Sequence, residues 1–132
     1  MLDWLTKNTA RIAVDHPDPT LRAITIDRPA KEAAERAAAA VAMLPRWNVM
    51  LHDPEPGASH VCTATRTTRL WGFVDDVVLE FRGITGPDGR QATVVTGSSR
   101  SRVGKGDFGQ NARNLREVLR AIRTIPPARK TP

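Results

Sequence analysis

The chain has 132 residues, 20 Lys and Arg against 14 Asp and Glu, one cysteine, and 5% aromatic residues with no tyrosine. That length supports one domain with one core, built mainly of Val, Leu, Ile and Ala, and the lone Cys62 excludes an internal disulfide framework. No apolar run reaches the roughly 18 residues of a membrane span, and Asp3, Lys7 and Arg11 interrupt the start of the chain where a signal-peptide core would lie. A cytoplasmic protein is expected.

In chain order, Leu2–Ile12 is expected as a short helix, with Leu2, Leu5 and Ile12 loosely on one side. Pro17 and Pro19 end it. Leu21–Asp27 reads as a strand. A helix from Pro29 to Leu44 follows, capped by Asp27 or Arg28; Ala30, Ala34, Ala37, Val41 and Leu44 form its apolar stripe, and Glu32–Arg36 can pair on the exposed side. The small alanines imply close approach to a sheet. Arg46–His52 alternates, with Trp47, Val49 and Leu51 on one face; the Pro- and Gly-rich segment 53–59 turns the chain, and His60–Leu70 returns. Trp71–Arg82 is the clearest strand. Gly86-Pro87-Asp88-Gly89 turns it into Gln91–Ser99, and a polar loop over 100–107 leads into a helix from Phe108 to Ile122.

Asp107 and Gln110 have capping-box spacing at the start of that helix. Its inner stripe is expected to be Phe108, Asn111, Leu115, Val118 and Ile122. The element order predicts an α+β fold: an antiparallel sheet of about five strands with helices packed on one face, one of them C-terminal. Residues 1–20 are expected as a helical segment and linker, 21–125 as a single domain and 126–132 as a disordered tail.

The polar anomalies cluster late. At period two, Phe73, Asp75, Val77, Leu79 and Phe81 share the core face of their strand, while Asp76 lies with Glu80 and Arg82 on the other. A carboxylate on a core face must be paired or hydrogen-bonded. The loop offers Ser98, Ser99, Ser101, Arg102 and backbone amides. A polar pocket or structural network of Asp75, Asp76, Ser101, Arg102, Asp107 and Asn111 is therefore expected, with Asp75 and Arg102 facing a small ligand or protein. Adjacent aspartates point to opposite faces and do not share a substrate easily, so a carboxylate-based hydrolase is a minor alternative and no catalytic residue is assigned.

FVDDV (73–77), SRVG (101–104), DFG (107–109) and Asn111 resemble the bacterial and plastid family called domain of unknown function 1499. Its usual pattern is a phrase like FVDDVEF, then RSASRVGxSDxGxNRxR before a C-terminal helix. The likeness is close over about 40 residues and loose, through element order, over 21–122. Here Ser98-Ser99-Arg100-Ser101-Arg102 stands for RSASR, Gly106 for the Ser before the acid, and Ala112 for the Arg after the Asn; Thr65 and Thr68 replace Glu and Ser, and a Cys-Val-Ser-Ser-like N-terminal segment is missing. The resemblance implies no established reaction. Family members often carry export or membrane-anchor segments, and neither is expected in these residues.

Two further sets of residues bear on function. His52, His60 and Cys62 lack the spacing of zinc ligands, so no metal and no cofactor are expected. The net basicity sits in the last quarter: Ser98–Pro132 carries nine Lys/Arg against two acids, and Arg113, Arg116, Arg120 and Arg123 fall on one helical stripe. Anion or nucleic-acid binding through that stripe is the alternative function. Aromatic stacking partners and a recognised module pattern do not accompany it, which counts against nucleic acid.

Overall fold

The structure, a computed structural model, describes residues 9–68, 72–102 and 109–128. Six strands form one antiparallel sheet: β1 (Thr9–Ile12), β2 (Ile24–Ile26), β3 (Trp47–His52), β4 (His60–Thr67), β5 (Val74–Thr85) and β6 (Gln91–Ser101). Two helices, α1 (Ala30–Ala42) and α2 (Gln110–Ile122), complete it. The strand order is β1-β6-β5-β4-β3, with β2 also paired to β6. The fold is thus the expected α+β arrangement with a C-terminal helix. Both helices pack on the same sheet face, and the core lies between. None of the described helices is long and apolar enough to cross a membrane.

Local chemistry explains most elements. In α1, Ala33, Ala34, Ala37, Ala38 and Val41 are buried, so the helix lies close on the sheet because its inner face has almost no side-chain thickness. Alternation in β5 buries Asp75, Val77, Leu79 and Phe81 and leaves Val78 and Glu80 outside. The turn after β5 closes with Gly86 N–H to Arg90 C=O at 2.8 Å and Gly89 at φ 79, a left-handed conformation that suits glycine. Gly97 on β6 faces Leu79, and a Cβ there would stand 2.6 Å from the Val78 carbonyl oxygen. The absence of a side chain is what lets β5 and β6 approach at that point.

Several expectations are corrected. Residues 9–12 are strand, not helix: they pair with Gly97–Arg100 at the edge of β6. β6 runs longer than expected and presents unpaired backbone groups, which the edge strand satisfies while burying Ile12. The remainder of the predicted helix, 2–8, lies outside the described residues. Leu21 belongs to a short 3-10 turn (Pro19–Leu21), started by Asp18 accepting the Thr20 N–H at 2.9 Å, so β2 begins only at Ile24.

The N-cap of α1 is Pro29, without a side-chain cap. Asp27 is drawn instead to Arg90 at 2.7 Å. Phe73 is 44% exposed and precedes β5 rather than sitting in the core.

The C-terminal helix starts at Gln110 behind an N-cap at Gly109 with φ 84. Gln110 Nε2 donates to Asn114 Oδ1 at 2.7 Å, and the expected capping box with Asp107 lies outside the described residues, as does Phe108. Of the expected tail, residues 126–128 are described and held to the domain, and 129–132 lie outside the described residues. Arg28, 9% exposed, donates from Nε to Pro126 C=O at 3.0 Å and from Nη2 to Pro127 C=O at 3.3 Å, and Ala128 N–H reaches Asp27 C=O at 3.2 Å.

Candidate functional site

The hairpin register decides which polar residues meet. Asp75 stands opposite Ser101 on β6 and Arg66 on β4, whereas Asp76 stands opposite Arg100 and Thr65. Directly opposed residues share a face, so the two aspartates lead to two different places.

Asp75 faces α2 and is 2% exposed. Asn114 Nδ2 donates to Asp75 Oδ2 at 2.7 Å and approaches Ser99 Oγ at 3.3 Å. Ser99 Oγ donates to Asn111 Oδ1 at 2.6 Å, and Asn111 Nδ2 donates to Ser101 Oγ at 2.8 Å. Ser99, Asn111 and Asn114 have no exposed surface. A bonded network therefore joins β5, β6 and the first turn and a half of α2. It satisfies groups that would each be costly in isolation. Three of the predicted residues, Asp75, Ser101 and Asn111, are brought together here.

Asn114 was not anticipated, although it falls three residues after Asn111 and beside Leu115 on the buried stripe. Two amides on an apolar helix face are a signal of a buried partner across the interface. Next to the network, Glu117 Oε1 accepts from Trp47 Nε1 at 2.6 Å, and its Oε2 lies 4.0 Å from Arg66 Nη2. Arg66 Nε is buried without a hydrogen-bond partner among the described residues.

Arg102 is not with Asp75. Its Nε and Nη2 each donate to Asp76 at 2.9 Å, a bidentate pair on the opposite face of the sheet. That hydrogen bonding, aided by the guanidinium charge, holds the Asp76 carboxyl below its usual range. No described helix covers this face. The pair borders an open concavity of about 510 Å³ between β3, β4 and β5, lined among others by Asn48, Met50, Thr63, Thr65 and Val78.

The basic stripe is partly used up internally. Arg116 donates to Thr20 Oγ1 at 2.8 Å and to Asp18 Oδ2 at 2.7 Å, and Arg113 Nη2 donates to Gln110 Oε1 at 3.2 Å. Arg120 and Arg123 are exposed. The candidate metal ligands diverge: Cys62 is buried in the core, while His52 Nε2 lies 2.7 Å from Thr63 Oγ1 on the exposed face.

Fold and site together define a small α+β domain with a helix-covered antiparallel sheet, an internal polar network and an open outer sheet face. The family described as "Protein of unknown function (DUF1499)" matches residues 3–122, and the chain belongs to it. No curated protein matches. Among solved structures, one titled "Crystal structure of Ara h 8.0201" is similar at 8% identity, covering 89% of this chain and 98% of that chain with a TM-score of 0.36. That likeness is too low to carry an argument.

Proposed function

We propose that this domain is a non-catalytic binding module whose outer sheet face receives a small amphipathic ligand, with the Asp75 network as its internal support. One observation carries the reading. Asp75, Asn114, Ser99 and Asn111 are bonded to one another, whereas the Asp76–Arg102 pair borders an open concavity. Its volume, about 510 Å³, falls in the range of small-molecule sites. Met50, Val78 and the threonine methyls offer apolar walls, and Arg102 and Asp76 offer donors and acceptors at the rim.

Catalysis is less well supported, because Asp75 and Asp76 diverge to opposite faces. Polyanion binding by the helical arginines is also weakened, since Arg116 is held by Asp18 and Thr20. The buried thiol of Cys62 fits a reducing, cytoplasmic setting.

The test is a ligand screen by thermal shift and ligand-observed NMR, repeated on Val78→Trp. Val78 is 40% exposed on this face, so an indole there fills the concavity while keeping good strand propensity. Ligands found with the wild type should lose binding to Val78→Trp at unchanged melting temperature. Arg102→Gln should weaken those with an anionic group most. Equal binding to the filled variant would refute the reading.

A further inference from the structure

The two edges of the sheet are built differently. On the β6 side the edge is broken into β1, of four residues, and β2, of three, separated by the 3-10 turn and carrying the exposed Arg11. Short strands and charges of this kind are how monomeric sheets protect an edge from pairing with another chain. The other edge, β3, lacks those devices. It is six residues long, reads Trp-Asn-Val-Met-Leu-His without a charge or proline, and pairs only with β4 among the described residues. Pro45 and Pro54 bound it but do not interrupt it. Large apolar side chains are exposed along it and at the end of α1 beside it: Met50 is 63% exposed, Leu51 37% and Met43 87%.

We propose that β3 is a self-association edge, where a second copy of this chain adds its own β3 antiparallel and joins the two sheets into one. The charges flanking the strand select this occupant and this direction. Arg46 precedes β3 and Asp53 follows it; both are exposed, and neither has an ion-pair partner among the described residues. Antiparallel pairing brings Arg46 of one copy to Asp53 of the other at both ends of the seam, whereas parallel pairing would set like charges together. A two-fold axis normal to the sheet keeps the helices of both copies on one side. Facing residues must then come from the same sheet face, which centres the seam on Val49 or on Met50. Either register sets Arg46 one residue out of step with the second copy's Asp53, within reach of a long side chain. The seam pairs the open backbone groups of β3 and covers Met50 and Leu51. The seam adjoins the concavity of the ligand reading, which Asn48, Val49 and Met50 of β3 also line, but the charges that select it, Arg46 and Asp53, do not line that concavity.

Sedimentation velocity and light scattering across micromolar to millimolar concentration test it, with circular dichroism to check the fold of each variant. The wild type should show a concentration-dependent dimer, and amide exchange in β3 should slow as the dimer forms. Asp53→Arg and Arg46→Asp should each weaken association by roughly tenfold, and the double reversal should restore it. Met50→Lys, which places a charge on the edge, should abolish it. A monomer at every concentration would overturn the proposal, as would a dimer indifferent to Met50→Lys or one that the double reversal does not restore. Val78→Trp, which tests the ligand reading, should leave the dimer in place; loss of the dimer in that variant would count against this seam.

Discussion

Replacing Asn114 by leucine is the sharpest probe of the internal network. The two side chains share the same branching and number of heavy atoms, so the change chiefly removes hydrogen-bonding chemistry. Asn114 gives Nδ2 to Asp75 at 2.7 Å and to Ser99 at 3.3 Å, and receives Gln110 Nε2 at 2.7 Å. Leucine leaves the 2%-exposed carboxylate of Asp75 without its side-chain donor. A hydrogen bond to a charged group contributes about 1.5–3 kcal/mol, and stranding a buried charge costs about 3–5 kcal/mol. Better apolar burial of leucine offsets roughly 1 kcal/mol of that. A net loss of about 2–4 kcal/mol is expected, a large part of the ~5–15 kcal/mol typical of a domain.

In urea, with a slope near ~2 kcal/mol/M, the midpoint should fall by roughly 1–2 M. Asp75→Asn keeps an acceptor for Asn114 and should cost only about 1 kcal/mol. The double variant Asp75→Leu, Asn114→Leu should lose less than the sum of its singles, by about 1–3 kcal/mol. Additive singles, or an Asn114→Leu loss below about 0.5 kcal/mol, would refute the account of the network.

Two other outcomes follow from single groups. The Thr20 hydroxyl and N–H, with Arg116, hold the Asp18 carboxyl at about 2 against an ordinary 3.8. Because the folded value is the lower one, its stabilising contribution is present above the unfolded value and lost as pH falls from 3.8 through about 2. Thermal melts should therefore show the gap between wild type and Asp18→Asn closing over that interval, and a gap independent of pH would contradict the clamp. Burial pushes the Cys62 thiol up to about 11, so a thiol–disulfide reagent at neutral pH should react with it only in denaturant. Prompt labelling of the native protein would show that the core around Cys62 opens.

How far the chain could be read turns on whether a feature depends on neighbours in sequence or in space. Period-two alternation is local, so Asp75 on the core face of β5 and Asp76 on the outer one were legible from FVDDVVLEF. The alanine stripe of α1 and the Gly-Pro-Asp-Gly turn were legible for the same reason, and the family motif spans Asp75, Asp76, Ser101, Arg102 and Asn111. Even the partner of Arg102 was within reach. The turn sets Thr85 opposite Gln91, which carries Asp76 to Arg100 and Val74 to Arg102. Even-numbered residues of both strands therefore share a face, and Arg102 belongs with Asp76.

Other features required the folded chain. Residues 9–12 become a strand because the far end of β6, some ninety residues later, offers them an edge. Asp75 finds Asn114 across 39 positions because α2 lies over β5 and β6 at one particular depth and rotation. Arg116 leaves the basic stripe because the 3-10 turn near the start of the chain places Asp18 beside it. Strand direction and face are set by backbone geometry over a few residues. The pairing of polar groups is set by how whole elements pack, and only the tertiary structure decides that.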